Sequence, residues 1–423
     1  MARHTYLCID LKSFYASVEC VERGLDPMTA RLVVADPERS RGTICLAVSP
    51  ELKRLGVRNR CRVYEIPKGL DYIMAPPRMQ RYIDYAAEIY GIYLEHIAPE
   101  DMHVYSIDEV FLDVTRYLPL YGFTPRQMAA FLMDEVRSRL GIRATCGIGT
   151  NLYLAKIALD IHAKHAPDFI AELDEETYRE TLWTHRPLTD FWRIGPGTAR
   201  HLERLGLLTM RDVAHADEDV LYKAFGIDAE LLIDHAWGRE TTTMADIHNY
   251  RTRSTSLSSG QVLMRDYAFD EGKIILREMM ENLAFDMMSQ GVATRSVTIW
   301  IGYSHNVAQG GAGGTAALET ETNSARTLVR AALEVYARVV SRELPIRRVN
   351  ISCNELVSET EVHQYSLLDA ETCDTHARDR RLQQTVLELK QKFGKNAVLK
   401  GVDLTECATA IERNGQIGGH KSG

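Results

Sequence analysis

Three carboxylates near the start of the chain have the types and spacing to share one task. Asp10 ends the short apolar run Tyr6-Leu7-Cys8-Ile9, the pattern of a buried strand that stops at an acid. Asp108 and Glu109 follow Ser106-Ile107, between two apolar segments. Neighbouring side chains on a regular strand face opposite ways, so Asp108 and Glu109 can converge only where the strand bends into a turn. Such a turn, on a strand beside the first, can bring both to Asp10. Three hard oxygen donors drawn to one point repel one another and lose hydration unless cations sit among them. Magnesium suits the set, because one or two carboxylates hold it together with waters and substrate phosphates. Two ions roughly 3.5–4 Å apart would stabilise the attacking and leaving oxygens of an in-line phosphoryl displacement. Spacing alone fits an exposed strand end with solvated acids equally well.

The elements that must position these acids read as an α/β unit. Strands are expected at 31–35, 43–48, 103–106, 110–114 and 143–148, with helices near 50–55, 81–97, 125–140 and 151–163. From about 166 the pattern becomes all-helical, with turns at Gly195-Pro196-Gly197 and Leu205-Gly206. Residues 239–250 lack apolar periodicity and read as a linker. Beyond them, strands at 295–303 and 347–353 and helices at 269–289 and 323–342 suggest the order strand, helix, strand, strand, helix, strand. That order predicts a compact α+β domain with both helices on one sheet face. The Gly-rich stretch 309–315 reads as a mobile hairpin tip.

At 423 residues the chain has room for about three domains. Its 26% charged and 45% hydrophobic residues are ordinary globular composition. No apolar run approaches the roughly 20 residues of a spanning helix, and no signal-peptide core opens the chain, so a soluble, cytoplasmic protein is expected. Eight cysteines without a CxxC pair suggest neither a disulfide framework nor a zinc site. The net charge of −8 argues at first against a nucleic-acid partner, yet residues 39–68 hold 8 basic against 2 acidic side chains. The acidic excess lies in 80–250, with 28 acidic and 16 basic residues.

The motif Cys8-Ile9-Asp10-Leu11-Lys12-Ser13-Phe14-Tyr15-Ala16-Ser17-Val18-Glu19, followed by Tyr105-Ser106-Ile107-Asp108-Glu109, resembles the Y-family translesion DNA polymerases. Within them it is most similar to the UmuC-type catalytic subunit of DNA polymerase V, including Gram-positive forms, over nearly the whole chain. The resemblance implies an α/β and α+β multidomain protein with the right-hand polymerase architecture. Palm would be 1–14 and 79–165, fingers 15–78, thumb 166–238 and little finger 251–360, with a linker at 239–250 and a tail at 361–423. It implies template-directed addition of dNTPs to a primer 3′ end, error-prone synthesis across damaged DNA in repair and the SOS response, and association with the nucleoid. Asp10, Asp108, Glu109 and the Leu11 backbone carbonyl would hold two Mg²⁺ ions, for which Mn²⁺ can substitute. Tyr15 would be the steric gate against a 2′-hydroxyl, with Phe14 packed beside it.

The segment Ala47 to Gly56 resembles the fingers stretch that contacts the triphosphate, with departures. Ala47 and Pro50 stand where many relatives carry Thr and Tyr, and Lys53 where many carry Arg, so Lys53 is a point charge rather than a fork. Ser49 is the hydroxyl left to compensate, and Lys156 matches the palm lysine that reaches the triphosphate.

The remaining assignments concern DNA and partners. Gly195 and Gly197 sit in a segment like a helix-hairpin-helix, whose glycines let backbone approach a phosphate and whose helix N-terminus binds it. Arg251, Arg253, Arg295, Arg347 and Arg348 resemble the DNA-gripping residues of the little finger. Gln364-Tyr365-Ser366-Leu367-Leu368 resembles the sliding-clamp peptide, with Gln364, Ser366, Leu367 and Leu368 at its contact positions. A UmuD-like protein or a recombinase is a further partner that the resemblance leaves open. Two other classes compete: a nucleotide cyclase would need neither hairpin nor clamp peptide, and a clamp-recruited DNA-binding protein with weak or no polymerase activity would not need all three acids. The charge balance predicts modest, salt-sensitive DNA affinity, for which tethering to a clamp compensates.

Overall fold

The computed structural model describes residues 4–251, 254–359 and 370–423, with side chains from 378 onward in the last stretch. The chain forms two compact units, Met1–Tyr250 with His420–Gly423, and Arg251–Gly419.

The first unit opens with β1 (Tyr6–Leu11), α1 (Phe14–Val21), β2 (Leu32–Val34), β3 (Ala47–Val48), α2 (Pro50–Arg54), β4 (Ile73–Ala75) and α3 (Met79–Leu94). Next come β5 (Met102–Val104), β6 (Glu109–Asp113), α4 (Tyr117–Tyr121), α5 (Pro125–Leu140), β7 (Ala144–Gly149), α6 (Leu152–Ile157) and β8 (Ile170–Leu173). Five short helices close it: α7 (Glu175–Leu182), α8 (Pro196–Arg204), α9 (Met210–Ala214), α10 (Glu218–Phe225) and α11 (Asp228–Ala236), followed by α12 (Met244–Asn249).

The main sheet has the order β5-β6-β1-β7-β8. β1 lies at its centre, antiparallel to both neighbours. That placement explains its unbroken apolar run, since a strand covered on both faces has no solvent side to alternate toward. Leu7, Cys8 and Ile9 are no more than 1% exposed. On β7, a Cβ at Gly147 would stand 2.1 Å from the Ala155 carbonyl oxygen, and one at Gly149 2.2 Å from the Ala155 nitrogen. The two glycines therefore let α6 lie directly on the strand. α5 spans the residues expected of it, because Thr124 and Gln127 form a capping box and Gly141, at φ 70°, ends it.

Several expectations need correction. The stretch after 166 is not all helix: β8 joins the main sheet, parallel to β7. Ile170-Ala171-Glu172-Leu173 does not alternate apolar with polar, so the strand left no period to read. The strand expected at 43–48 is regular only at Ala47–Val48. The supposed linker carries α12, capped by Thr243, with Met244 4% exposed in a cluster with Tyr6, Cys8 and Phe111. Two anchoring side chains, Met244 and the half-buried Ile247, on a six-residue helix make too short a pattern to read.

The second unit follows the expected order with β9 (Ser256–Tyr267), α13 (Phe269–Ser289), β10 (Val292–Tyr303), β11 (Gly311–Thr322), α14 (Ala325–Val339) and β12 (Ile346–Asn354). Its sheet order is β11-β10-β12-β9, and α13 and α14 cover one face over Val297, Ile299, Ile301, Val349 and Ile351. Of the glycine-rich stretch only Gln309 and Gly310 lie in the connection of the antiparallel β10–β11 pair; from Gly311 on it is the start of β11. A Cβ at Gly311 would meet the Trp300 ring at 2.7 Å, and Cβ atoms at Gly302 and Gly313 at 2.9 and 3.1 Å. The glycines leave room for the indole to lie on the sheet.

The region 361–423 divides between the two units. It contains α15 (Ala370–Phe393) in the second unit, whereas His420–Gly423 belong to the first. There the Gln80 N–H donates to the Ser422 carbonyl at 2.7 Å. Among the described residues no helix is long and apolar enough to cross a membrane.

Candidate active site

The register of β1 and β6 places Asp10 opposite Glu109, and the Leu11 N–H donates to the Asp108 carbonyl at 2.8 Å. Opposed residues of an antiparallel pair project to the same face. The bend required for Asp108 is present at 106–108. The Tyr105 and Ser106 N–H groups both donate to the Glu109 carbonyl, at 3.0 and 3.1 Å. The Ser106 hydroxyl donates to Asp108 Oδ1 at 2.7 Å and accepts from the Asp108 N–H at 3.3 Å. Asp108 thus leaves the strand alternation that would point it away from Glu109. Leu11 is 4% exposed, so its side chain belongs to the core.

Burial pushes the Asp10 carboxyl up to about 6; Lys164 opposes the shift, and the negative charges of Asp108 and Glu109 add to it. Glu109, 9% exposed, is engaged on both oxygens by the Lys156 ammonium, at 2.8 and 2.9 Å, and accepts the Cys8 thiol at 3.2 Å. Lys156 also meets Asp160 at 3.0 Å. Burial opposes its charge, but Cys8, Glu109 and Asp160 together raise its pKa above the ordinary lysine value.

These contacts correct the assignment of Lys156 to the triphosphate, because its ammonium is spent on two carboxylates. Lys164 is the lysine that sequence reasoning missed. It pairs with Asp160 at 2.7 Å, is 39% exposed, and feels Asp10 as its strongest attracting charge. The chain between the two lysines makes a π-turn over Ala158–His162. Eight residues of plain α-helix turn through about 800°, some 80° past alignment, and one extra residue in a wider turn takes up about that excess. Lys164 returns to the face of Lys156, and Asp160 lies between them. The signal was present as two lysines bracketing an acid at i and i+4 spacing on each side.

Lys53 also reaches the acids, donating to Ser13 Oγ at 2.9 Å. Burial lowers its pKa, with Asp10 opposing and Lys164 adding to the shift. Lys12, whose ammonium stands 4.2 Å over the Phe169 ring, is lowered by burial and then by Lys53. Ser49 does not face the site: it is 0% exposed, and its hydroxyl accepts the Leu32 N–H at 3.1 Å.

Among the described residues, no three His, Cys, Asp or Glu side chains form a ready-made metal cage. The donors fit magnesium nonetheless. Asp10 is a carboxyl raised by burial and by neighbouring acids, a charge that a hard cation relieves, and magnesium completes its shell with water and phosphate.

Tyr15 lies near this group, close enough for its hydroxyl to feel the Asp108 charge. Ser13, at φ 50°, turns the chain from β1 into α1 through the left-handed region, a strained conformation of the kind found at functional sites. The Tyr15 ring stacks on Tyr82, with centroids 4.5 Å apart and planes 15° apart. Burial raises its hydroxyl pKa, and Asp108 raises it further. Phe14, 2% exposed, is a core residue at 5.7 Å from the Tyr15 ring.

The residues expected at DNA are dispersed. Gly195 and Gly197 are exposed at the start of α8, and a Cβ on either would meet nothing within 4 Å, so internal packing does not demand glycine there. In the second unit Arg295 donates to Glu321 at 2.8 Å, and Arg347 lies 3.6 Å from Asp266. Arg348 is exposed on β12, on the sheet face opposite Val349 and Ile351, and forms no ion pair among the described residues. Arg251 opens that unit. Arg253, Gln364, Ser366, Leu367 and Leu368 lie outside the described residues.

Residues 9–160 match the model of the impB/mucB/samB family, and residues 254–367 match its C-terminal domain. UvrX, a protein of Bacillus subtilis (strain 168) named for UV-damage repair, is 31% identical over 422 residues, spanning 99% of this chain and 98% of its own. The chain belongs to the impB/mucB/samB family. Another relative of this family member, DNA polymerase IV 2 of the same organism, is 30% identical over 99% of both chains. In fold it is similar to a solved Y-family DNA polymerase chimera, with TM-score 0.65 and 20% identity over 84% of this chain and 99% of that one. The Y-family resemblance and the architecture of palm, fingers, thumb and little finger are thereby borne out.

Proposed function

We propose that this impB/mucB/samB-family protein is a template-directed DNA polymerase that extends a primer by two-metal phosphoryl transfer and acts in error-prone synthesis past damaged bases. The observation that carries the reading is the convergence of Asp10, Asp108 and Glu109 beside Lys12, Lys53 and Lys164, with Tyr15 close enough to feel the Asp108 charge. Relatives named for DNA polymerase IV and for UV-damage repair support it.

Asp10 and Asp108, with the Leu11 carbonyl, would hold two Mg²⁺ or Mn²⁺ ions, and Glu109 the one nearer the primer terminus. Bound there, the ions supply activation of the 3′-hydroxyl and neutralisation of the phosphates. Lys53 and Lys164 bind the triphosphate, and Lys12 adds positive field. Lys156 orients Glu109 from behind. Tyr15 rejects the 2′-hydroxyl by shape. Gly195 and Gly197 admit a DNA phosphate to the α8 N-terminus, and Arg348 contacts phosphate from the open sheet face. Residues 364–368 tether the enzyme to a sliding clamp, and a role in the SOS response within the nucleoid accords with synthesis across lesions.

Primer extension by the purified chain with Mg²⁺, on undamaged and abasic templates, tests the proposal. Asp108→Ala should abolish extension while leaving primer-template binding intact. Extension retained by that variant would overturn the metal assignment, and no extension by the unsubstituted chain would favour a DNA-binding role.

A further inference from the structure

Glu19 is a fully buried carboxylate in the first unit that the chemistry above leaves unused. It stands four residues after Tyr15 on α1, on the same helix face. Its Oε1 accepts the Arg78 Nε–H at 2.9 Å and the Tyr82 hydroxyl at 2.8 Å. Its Oε2 accepts Arg78 Nη2 at 3.0 Å and a further bond from Arg23. Burial opposes ionisation, but the bonds from Arg78, Arg23 and Tyr82 hold the carboxyl below its ordinary range.

Tyr82, 0% exposed on α3, is the ring on which Tyr15 stacks. It is therefore held at two points, its face against Tyr15 and its hydroxyl on Glu19. A ring fixed at both ends cannot slide or tilt, so the plane beneath Tyr15 is set by a carboxylate on the same helix as Tyr15. One turn along, Glu22 accepts the Tyr85 hydroxyl at 2.9 Å and Arg81 at 2.8 Å, and neither of these touches Tyr15. The second set ties α1 to α3 in the same way, sharing Arg78, which lies 3.5 Å from Glu22, and its Tyr85 hydroxyl serves as the control for the clamp as a whole.

We infer that Glu19 is a positioning residue for sugar discrimination, acting through the Tyr82 hydroxyl to fix the ring that backs the Tyr15 gate. The inference rests on the gate role of Tyr15 given above. Rejection by shape depends on a few tenths of an ångström, so a backing ring freed to move lets the gate yield to a 2′-hydroxyl.

The test is steady-state primer extension by the full chain, comparing kcat/KM for a dNTP and the matching rNTP. Tyr82→Phe keeps the stacked ring and the Glu19–Arg78–Arg23 bonds and removes only the anchor. It should raise relative rNTP use on the order of tenfold, as should Glu19→Gln. Tyr85→Phe should leave the ratio unchanged. An unchanged ratio in Tyr82→Phe overturns the inference, as does an equal rise in Tyr85→Phe, which would mark a general α1–α3 clamp. Tyr15→Ala separates the two levels: if it too leaves the ratio unchanged, the gate reading fails first, and if it alone raises the ratio, only the positioning role fails.

Discussion

Lys156 binds both oxygens of Glu109 with neither side chain more than 9% exposed, so a proposed metal ligand already has a buried counter-ion. Removing one partner of such a pair strands the other charge, at a cost of roughly 3–5 kcal/mol. Lys156→Met should destabilise the first unit by about that amount in denaturant unfolding and lower extension. A stability loss no greater than that of Lys164→Met, whose partly exposed pair with Asp160 is worth about 0–1 kcal/mol, would contradict the structural role.

Lys164 and Lys53 should reveal themselves in substrate binding instead. Lys164→Ala is expected to raise the KM for dNTP on the order of tenfold, the loss of one charge-assisted contact, while leaving the melting temperature nearly unchanged. A variant with unaltered KM would remove Lys164 from the triphosphate.

Acid should weaken the first unit through Glu240. Burial acts against its charge, but the bonds from His235 and Thr242 hold its pKa at about 2, against an ordinary 4.5. The depressed value means that its stabilisation is complete above pH 4.5 and is lost as pH falls toward about 2. At most this amounts to roughly 3 kcal/mol. The difference in melting temperature between the unsubstituted chain and Glu240→Gln should shrink across that window. A difference independent of pH would exclude Glu240 as the acid-sensitive group.

Arg348, exposed on the open sheet face and without an ion pair among the described residues, is the arginine on which the proposed phosphate contact rests. Arg348→Ala should weaken duplex binding uniformly across sequences and reduce the log–log salt slope by about one. Arg295→Ala should do less, since Glu321 already neutralises that guanidinium. Equal effects would argue that the ion pair opens on binding.

The three acids were legible in the sequence because a buried strand ending in a carboxylate and a turn between strands both leave local marks. Lys53 was legible too, but the exchange of Lys156 for Lys164 was not. Helical spacing assumes 3.6 residues per turn, and the π-turn at Ala158–His162 shifts which side chain returns to the site. Ser49 looked available because only the fold shows the Leu32 N–H that occupies it. β8 has four residues and α12 six, less than two helical turns, so neither carries a repeated pattern long enough to read. The glycines of β11 suggested a mobile tip because nothing local announces the Trp300 ring that lies across them.

That indole has a practical consequence. Trp183, Trp192 and Trp237 all fall in the first unit, so Trp300, 40% exposed, is the sole tryptophan of the second. With the other three replaced by Phe, its emission becomes a built-in optical reporter of whatever settles on the open face of that sheet, read without a label.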